Sequence, residues 1–181
     1  MNNDNIFTQT GTPGNREFRI VFEKMPASPD EMKMLPAADL TVPAFTAALT
    51  AAALAVYPAD KDASAAMLNW LKGPQPLTQY EIQFLSDRFR GKEYIAASFF
   101  EGASPKNNYT PDLPFSIKVF ETPHSSAQAE EGYMQLYLKS SGADSLRPVK
   151  LRLKASTGEW FLWEQMLLSD IRIPESSDPW A

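Results

Sequence analysis

The amino-acid sequence predicts an α+β fold, in which N-terminal helices pack on one face of a curved, mainly antiparallel sheet of five or six strands. Two observations support this prediction. Residues 43–90 carry apolar side chains at helical spacing, whereas residues 94–165 contain successive segments with the alternation of strands. When helices precede a run of strands in this way, the two kinds of element usually occupy separate layers around one core.

The N-terminal part of the chain contains few strong signals. Residues 1–16 are polar and include two glycines and a proline, so we expect a flexible tail there. Residues 17–181 then form a single domain, for which this is an ordinary length. Within it, residues 18–23 are rich in aromatic and β-branched side chains and predict the first strand. Residues 26–40 form a proline-punctuated connector with one helical turn at 29–34.

Two helices follow this connector. The first begins near Pro43, a residue suited to a first helical turn, has Thr41 as its cap and ends at Pro58. Its many alanines predict a central position, because small side chains allow neighbouring elements to approach closely. The second helix covers residues 61–72 and ends at Gly73, which a proline follows.

The helix predicted over residues 78–90 has the clearest start signal in the chain. Thr78 and Glu81 have the spacing of a capping box, in which each side chain bonds the backbone amide of the other residue. Leu77 and Ile82 stand at the positions of a hydrophobic staple. We expect the buried stripe of this helix to consist of Ile82, Leu85 and Phe89.

Five further strands are predicted after the helices. They cover about residues 94–101, 115–121, 132–140, 148–155 and 160–165. The alternation is clearest in the segment 148–155, where successive side chains point to opposite faces of the sheet. Leu151 and Leu153 therefore face the core. The cations between and beside them, Lys150, Arg152 and Lys154, face away from it.

The outward side chains of these strands define a candidate binding face, which is basic and rich in tyrosine although the whole chain is acidic. Such a face suits an acidic protein, a peptide or an anionic small molecule, although a solvated sheet face without a partner has a similar composition. We add the middle of the proline-rich loop 102–114, which we expect to be exposed. The predicted binding residues are Lys118, Tyr133, Tyr137, Lys139, Lys150, Arg152, Lys154, Asn108 and Tyr109.

Composition and motifs argue against several classes of site. The formal net charge of −5 and the pI near 4.9 disfavour nucleic-acid binding, which needs concentrated Lys and Arg. The sequence has no run of about 18 apolar residues, so we expect no membrane interaction. One histidine, His124, and no cysteine leave zinc without its usual ligands. Because phosphate loops, dinucleotide turns and nucleophile elbows are missing, we expect no catalytic residues, metal or cofactor.

The C-terminal segment is unusually aromatic. Trp160 and Trp163 are three residues apart, so they cannot share one face of a strand. We therefore expect one of them to pack inward and the other to meet a neighbouring element. Trp180 is expected to anchor the end of the chain as a buried latch.

The most distinctive motifs of the chain lie around two turns and in its last forty residues. They are NWLKGP at 69–74, NNYTP at 107–111, GADS at 142–145, RP at 147–148, STGEWFLWE at 156–164, LL at 167–168, DIRIP at 170–174 and DPW at 178–180. Together they resemble the pattern of an uncharacterised domain family of Gram-positive bacteria. The resemblance covers nearly the whole chain after residue 16, and it implies no established activity or residue role.

Two functional hypotheses follow. The first is a cytoplasmic, non-enzymatic binding or interaction domain, a monomer or weak homodimer, whose partner is an unknown protein or an anionic small ligand. The alternative is a small-molecule pocket protein or an enzyme with a cone-like α+β fold of the nuclear-transport-factor type. In that alternative, tyrosines and Glu164 or Asp170 line an interior cavity. We favour the first hypothesis, because the basic sheet face is the strongest candidate surface in the sequence.

Overall fold

The computed structural model describes residues 6–181 of the chain. The strands of this part are β1 (Phe7–Thr10), β2 (Glu17–Phe22), β3 (Phe115–Phe120), β4 (Tyr133–Leu138), β5 (Arg147–Lys154) and β6 (Glu159–Gln165). Its α-helices are α1 (Pro29–Lys33), α2 (Pro43–Val56), α3 (Lys61–Lys72) and α4 (Gln79–Phe89). The strands form one sheet in the order of the sequence, and all neighbours are antiparallel. The predicted α+β class is confirmed.

Helix α2 covers the inner face of the sheet. It contacts each strand from β2 to β6, and ten of its fourteen residues are buried. Alanine at most of these positions allows the helix to lie close to the strands. The helix begins at Pro43 as predicted, but the cap predicted at Thr41 is wrong. Val42 holds the cap position, and the Thr41 hydroxyl donates to Asp39 instead.

The sheet residues that face α2 are apolar and almost completely buried. The parity predicted for β5 is confirmed, because Leu151 is fully buried and Leu153 is half-buried. Each large apolar side chain that is buried in this way contributes about 1.5–3 kcal/mol. The buried residues of this inner face are Phe18, Ile20, Phe22, Ile117, Val119, Leu136, Leu138, Val149, Leu151 and Leu162.

Helix α4 has the predicted start but a narrower buried stripe. The capping box is formed, since the Thr78 hydroxyl accepts from the Glu81 amide at 3.2 Å and the Glu81 carboxylate accepts from the Thr78 amide at 2.8 Å. Leu85 and Phe89 are buried, but the prediction for Ile82 is wrong, because this side chain is 41% exposed. The helix is anchored through its second half, where Phe89 stacks on Tyr57 in α2's C-terminal turn.

The strand predicted over residues 94–101 is wrong. Ala96–Phe99 forms a 3₁₀ helix, and only the end of the segment reaches the sheet. There Phe100 bridges Ile117 and the Glu101 amide donates to the Ser116 carbonyl. At Val119 and Phe120, β3 pairs with β2 on one side and with β4 on the other. The residues before Phe100 therefore have no free edge of β3 with which to pair.

The flexible tail predicted over residues 1–16 is wrong from residue 7 onward, while residues 1–5 lie outside the described part. Strand β1 pairs with β2, and the Phe7 ring packs against Phe18 and, edge-on at 5.0 Å, against Phe45. At the end of the β1–β2 connection, Arg16 forms an ion pair with the buried Glu121. The backbone pairing with β2, one aromatic anchor and this ion pair together hold the segment on the sheet.

The C-terminal latch predicted at Trp180 is also wrong, because this side chain is 92% exposed. The segment is held further upstream. The Arg172 amide donates to the Gly142 carbonyl at 2.9 Å, and the Arg172 carbonyl accepts from the Tyr109 hydroxyl at 2.6 Å. These bonds satisfy the backbone of residue 172, and Pro174 is the last buried residue of the chain.

Candidate functional site

The outer face of the sheet, opposite α2, carries the polar side chains of the strands. Its β2–β3 part is a balanced network of charges. The Lys118 ammonium lies 2.9 Å from the Glu17 carboxylate, and the Arg19 guanidinium lies 2.6 Å from that of Glu101. The hydrogen bond with Glu17 raises the pKa of Lys118 above its usual value. Lys118 is therefore on the predicted face, but its charge is already neutralised.

Glu101 completes this network. Burial acts to raise its pKa, but hydrogen bonds from Ser116 and Arg19, together with the nearby Lys118, bring that pKa below the usual range. The carboxylate therefore stays ionised at neutral pH and holds both cations. We conclude that this half of the outer face is structural.

The β4–β6 part of the outer face is a cluster of cations and aromatic rings. Tyr133 on β4 lies opposite Arg152 on β5. The Lys150 ammonium is 4.7 Å and the Arg152 guanidinium carbon 4.5 Å from the centre of the Tyr133 ring. The Arg152 guanidinium is also 5.5 Å from the Trp163 ring, which meets Tyr133 edge-on. We call Tyr133, Arg152 and Trp163 the stacked cluster.

Arg152 differs from Lys150 and Lys154 in the residue that lies opposite it on β6. The cross-strand neighbour of Lys150 is Glu164 and that of Lys154 is Glu159, whereas Arg152 lies opposite Phe161. Within residues 6–181, no carboxylate forms an ion pair with any of these three cations. The guanidinium of Arg152 is thus exposed, held by aromatic faces and not balanced by a neighbouring acid.

Two shallow depressions flank the stacked cluster. One, of about 190 Å³, is lined by His124, Gln135, Tyr137 and Lys150 among others. The other, of about 160 Å³, has walls of Pro74, Gln75, Arg152, Lys154, Phe161 and Trp163. In the first, the Tyr137 hydroxyl accepts a hydrogen bond from Gln135 at 2.8 Å. The depressions extend the surface around Arg152 in both directions along the sheet.

Trp163 belongs to the stacked cluster but was not among the binding residues predicted from the sequence. The sequence predicted only that one of the two tryptophans meets a neighbouring element. A shift in the β5–β6 register between Lys150 and Leu151 changes the alternation of β6, so that Trp160 lies opposite Leu153 while Trp163 reaches Tyr133 and Arg152. The only available signal was the three-residue spacing of the tryptophans, which does not say which ring faces out.

The remaining predicted residues lie apart from the stacked cluster. Lys139 is exposed and lines a small depression with Lys118. The side chain of Asn108 contacts Ser176. Tyr109 is only 2% exposed, so the prediction that it is exposed is wrong.

Backbone geometry explains the burial of this tyrosine. Asn108 and Tyr109 both have a positive φ, which turns the chain back on itself. The Tyr109 ring then stacks on Tyr94 at 5.3 Å, below the segment that its hydroxyl holds. None of the hydrogen bonds or ring contacts of these two residues involves the stacked cluster.

The carboxylates considered for an interior cavity are both on the surface. Asp170 is exposed and has a positive φ, and Glu164 is exposed at the side of a groove between α4 and β6. Across residues 6–181, no three His, Asp or Glu side chains are grouped as metal ligands are. None of the helices in this part of the chain combines the length and apolar character that a membrane span requires.

Comparison with known families shows which family the chain belongs to. Residues 24–175 match the model of a family described as a domain of unknown function, DUF6935. The chain belongs to this family. The match confirms the resemblance to an uncharacterised family, while the Gram-positive origin stays a prediction. The DUF6935 match includes α1 to α4, β3 to β6 and the whole stacked cluster. No curated protein and no solved structure matches the chain.

Proposed function

We propose that this DUF6935 protein is a non-enzymatic binding module whose outer sheet face takes an extended acidic segment of a partner protein. The observation that carries the proposal is the Arg152 guanidinium, which lies against two aromatic rings and has no carboxylate partner within the described residues. The guanidinium is exposed and forms no ion pair within the described residues, so an N–H edge is available. That edge matches the two oxygens of a carboxylate.

Preorganisation supports this role for Arg152. A long flexible side chain loses about 0.5–1.5 kcal/mol of entropy when a partner immobilises it. The Tyr133 and Trp163 rings already restrict the Arg152 side chain in the free protein. Binding of a carboxylate at this position therefore costs less than binding at a freely rotating surface arginine.

The spacing of the cations favours a peptide over a single small anion. Lys150, Arg152 and Lys154 are alternate residues of β5, so their side chains recur at about 6.6–6.8 Å along the strand. An extended peptide with an acidic side chain at every second position has the same repeat. The residues between the acids then point away from the sheet, so that the acidic side chains alone meet the cations of β5.

Charge supports the same assignment. The chain carries a formal net charge of −5, yet the three cations of β5 share one exposed strand face. Glu164 and Glu159 lie opposite Lys150 and Lys154, so the surplus positive charge of this face is centred on Arg152. Such a charge attracts acidic partners, and added salt weakens the attraction. A cytoplasmic location and a monomeric or weakly dimeric state remain parts of this proposal.

The proposal is tested with a fluorescent peptide in which aspartate and tyrosine alternate, measured by fluorescence anisotropy. We expect binding at low salt, and about tenfold weaker binding for Arg152→Lys, because lysine lacks the planar, parallel pair of N–H groups that matches a carboxylate. Arg88→Lys is the matched control, since Arg88 also lies over an aromatic ring, that of Phe84, on another part of the surface.

Two results would contradict the proposal. Equal affinity of the wild type and Arg152→Glu would remove Arg152 from the site. Equal affinity for a peptide of the same composition with its aspartates in one block would remove the alternate-residue register. Thermal unfolding of each variant shows whether a loss of binding reflects a loss of folding.

A further inference from the structure

We infer a second site: the groove between α3, α4 and β6 binds an uncharged, mainly apolar small molecule. The groove borders the acidic-segment surface, since Trp163 lines the groove and also belongs to the stacked cluster, but the inference does not depend on binding at that surface. The groove has a volume of about 520 Å³, which is within the range of small-ligand sites in proteins. Its apolar lining residues are Leu54, Leu68, Leu77, Phe84, Leu85, Leu162, Trp163 and Met166.

The floor of the groove reaches the hydrophobic core. Leu54 of α2, Leu68 of α3, Leu85 of α4 and Leu162 of β6 line it, and all four side chains are buried in the core cluster. These floor side chains are already shielded from water, so a ligand gains from covering the accessible lining residues Leu77, Phe84 and Met166. Burial of apolar surface is worth about 25 cal/mol per Å², which favours an apolar ligand.

The charged groups inside the groove are already satisfied by each other. The buried Lys72 ammonium donates to Glu81 at 2.7 Å and to the Trp163 carbonyl at 3.3 Å. The other Glu81 oxygen accepts from the amide and the hydroxyl of Thr78. Burial acts to raise the pKa of Glu81, but the hydrogen bonds from Lys72 and Thr78 bring it below the usual value. The Glu81 carboxylate therefore stays ionised, and its ion pair with Lys72 offers no uncompensated charge to a ligand.

The remaining charge at the groove disfavours an anion. Glu164 is exposed at its side, and no cation forms an ion pair with it in the described part of the chain. A negatively charged ligand would meet this carboxylate, and any charged ligand would lose its hydration against apolar walls. The lining thus selects a neutral molecule.

The mouth of the groove exposes apolar surface that a ligand would cover. Tyr80 is 78% exposed and Met166 is 59% exposed, and both line the groove. Exposed apolar side chains that border a concave apolar surface are typical of ligand-binding grooves. Met34 is also exposed, but it lines none of the cavities described above.

The test uses two dyes with the same aromatic rings: neutral N-phenylnaphthylamine and its sulfonated counterpart, anilinonaphthalene sulfonate. We expect the neutral dye to bind the intact protein with a rise in dye fluorescence. Met166→Glu should weaken this binding about tenfold, because it adds a carboxylate at the mouth. Met34→Glu is the matched control and should have no effect.

Three results would overturn the inference. They are tighter binding of the sulfonated dye, an equal effect of Met166→Glu and Met34→Glu, and dye binding that appears only when light scattering shows a dimer. Leu77→Trp, which fills the groove from one side, gives an independent check. We expect it to abolish binding of the neutral dye while circular dichroism shows an unchanged fold.

Discussion

Leu151 and Lys150 are adjacent residues of β5 whose side chains point to opposite faces of the sheet. Leu151 is fully buried below α2, so Leu151→Ala should lower the free energy of unfolding by about 2–5 kcal/mol. Lys150→Ala removes only the contact with the Tyr133 ring, which is worth about 0.5–1 kcal/mol at an exposed site. Urea unfolding measures both changes. A larger loss for Lys150→Ala would mean that the parity of β5 is reversed.

For single residues, the sequence predicted which face of the sheet each side chain points to. It did not predict which charged side chains form ion pairs. Alternation was sufficient to place Tyr133, Lys150 and Arg152 on one face. The pairing of Lys118 with Glu17 depends on the register of two strands separated by all four helices, and no local pattern contains that register. Charge balance on a sheet face is therefore a tertiary property.

Gly73 ends α3 and provides a test at the scale of an element. It has a φ of +61°, and a Cβ at this position would collide with the Phe161 ring on β6. Gly91 has a φ of +67°, but a Cβ there would meet open space. A left-handed backbone costs a residue with a Cβ about 1–2 kcal/mol, so Gly91→Ala should lose about that amount.

Gly73→Ala should lose more, because its ψ of −120° lies outside the left-handed helical region, where the backbone cost of a Cβ is higher, and because the Cβ also displaces Phe161. Chemical denaturation of the two variants gives the difference directly. Equal losses would show that the α3 terminus moves away from β6 without cost. A larger loss for Gly91→Ala would contradict the close packing of Gly73 against the ring.

Elements with local signals were predicted from the sequence, and elements that depend on a distant partner were not. The capping box of α4 and the stop signal of α3 lie within a few residues of the helices that they define. Residues 94–101 have the composition of a strand, but the sheet leaves an edge only for residues 100 and 101. Strand β1 has four residues, and β2 alone gives it a partner.

Glu121 connects the N-terminal hairpin to the rest of the sheet and provides a test at the scale of the whole molecule. Its carboxylate accepts from Arg16 and from the Gly14 amide. The hydrogen bond from Arg16 lowers the pKa of Glu121, and burial opposes this only in part. Because the pKa is lower in the folded protein, the resulting stability is present above the unfolded pKa and is lost as the pH falls through the folded pKa.

Glu121→Gln should therefore be less stable than the wild type at neutral pH, and the difference should shrink in acid. Urea unfolding at about pH 7 and about pH 3 measures it. The matched control is Glu130→Gln, whose exposed carboxylate forms no ion pair within the described residues and should give no such pH-dependent difference. A difference between wild type and Glu121→Gln that stays constant with pH would contradict the assigned role.

At the scale of the whole molecule, the layer order followed from the order of the elements. Helices before strands predicted an α+β fold, and the sheet has six strands in sequential order. The folding of the loops was not predictable in the same way. Tyr109 is buried because a backbone turn directs its ring below a segment more than sixty residues away, and polar neighbours in sequence suggested the opposite.

The sequential order of the sheet has a consequence for how the chain reaches this structure. Strands β4, β5 and β6 are joined by short connections, whereas all four helices lie between β2 and β3. Closing a loop of about a hundred residues costs about 2–3 kcal/mol more entropy than closing a hairpin of about five. During synthesis, Phe18, Ile20 and Phe22 therefore leave the ribosome long before their partners on β3 exist. The growing chain must keep this apolar strand from associating with other chains until the partner strand arrives.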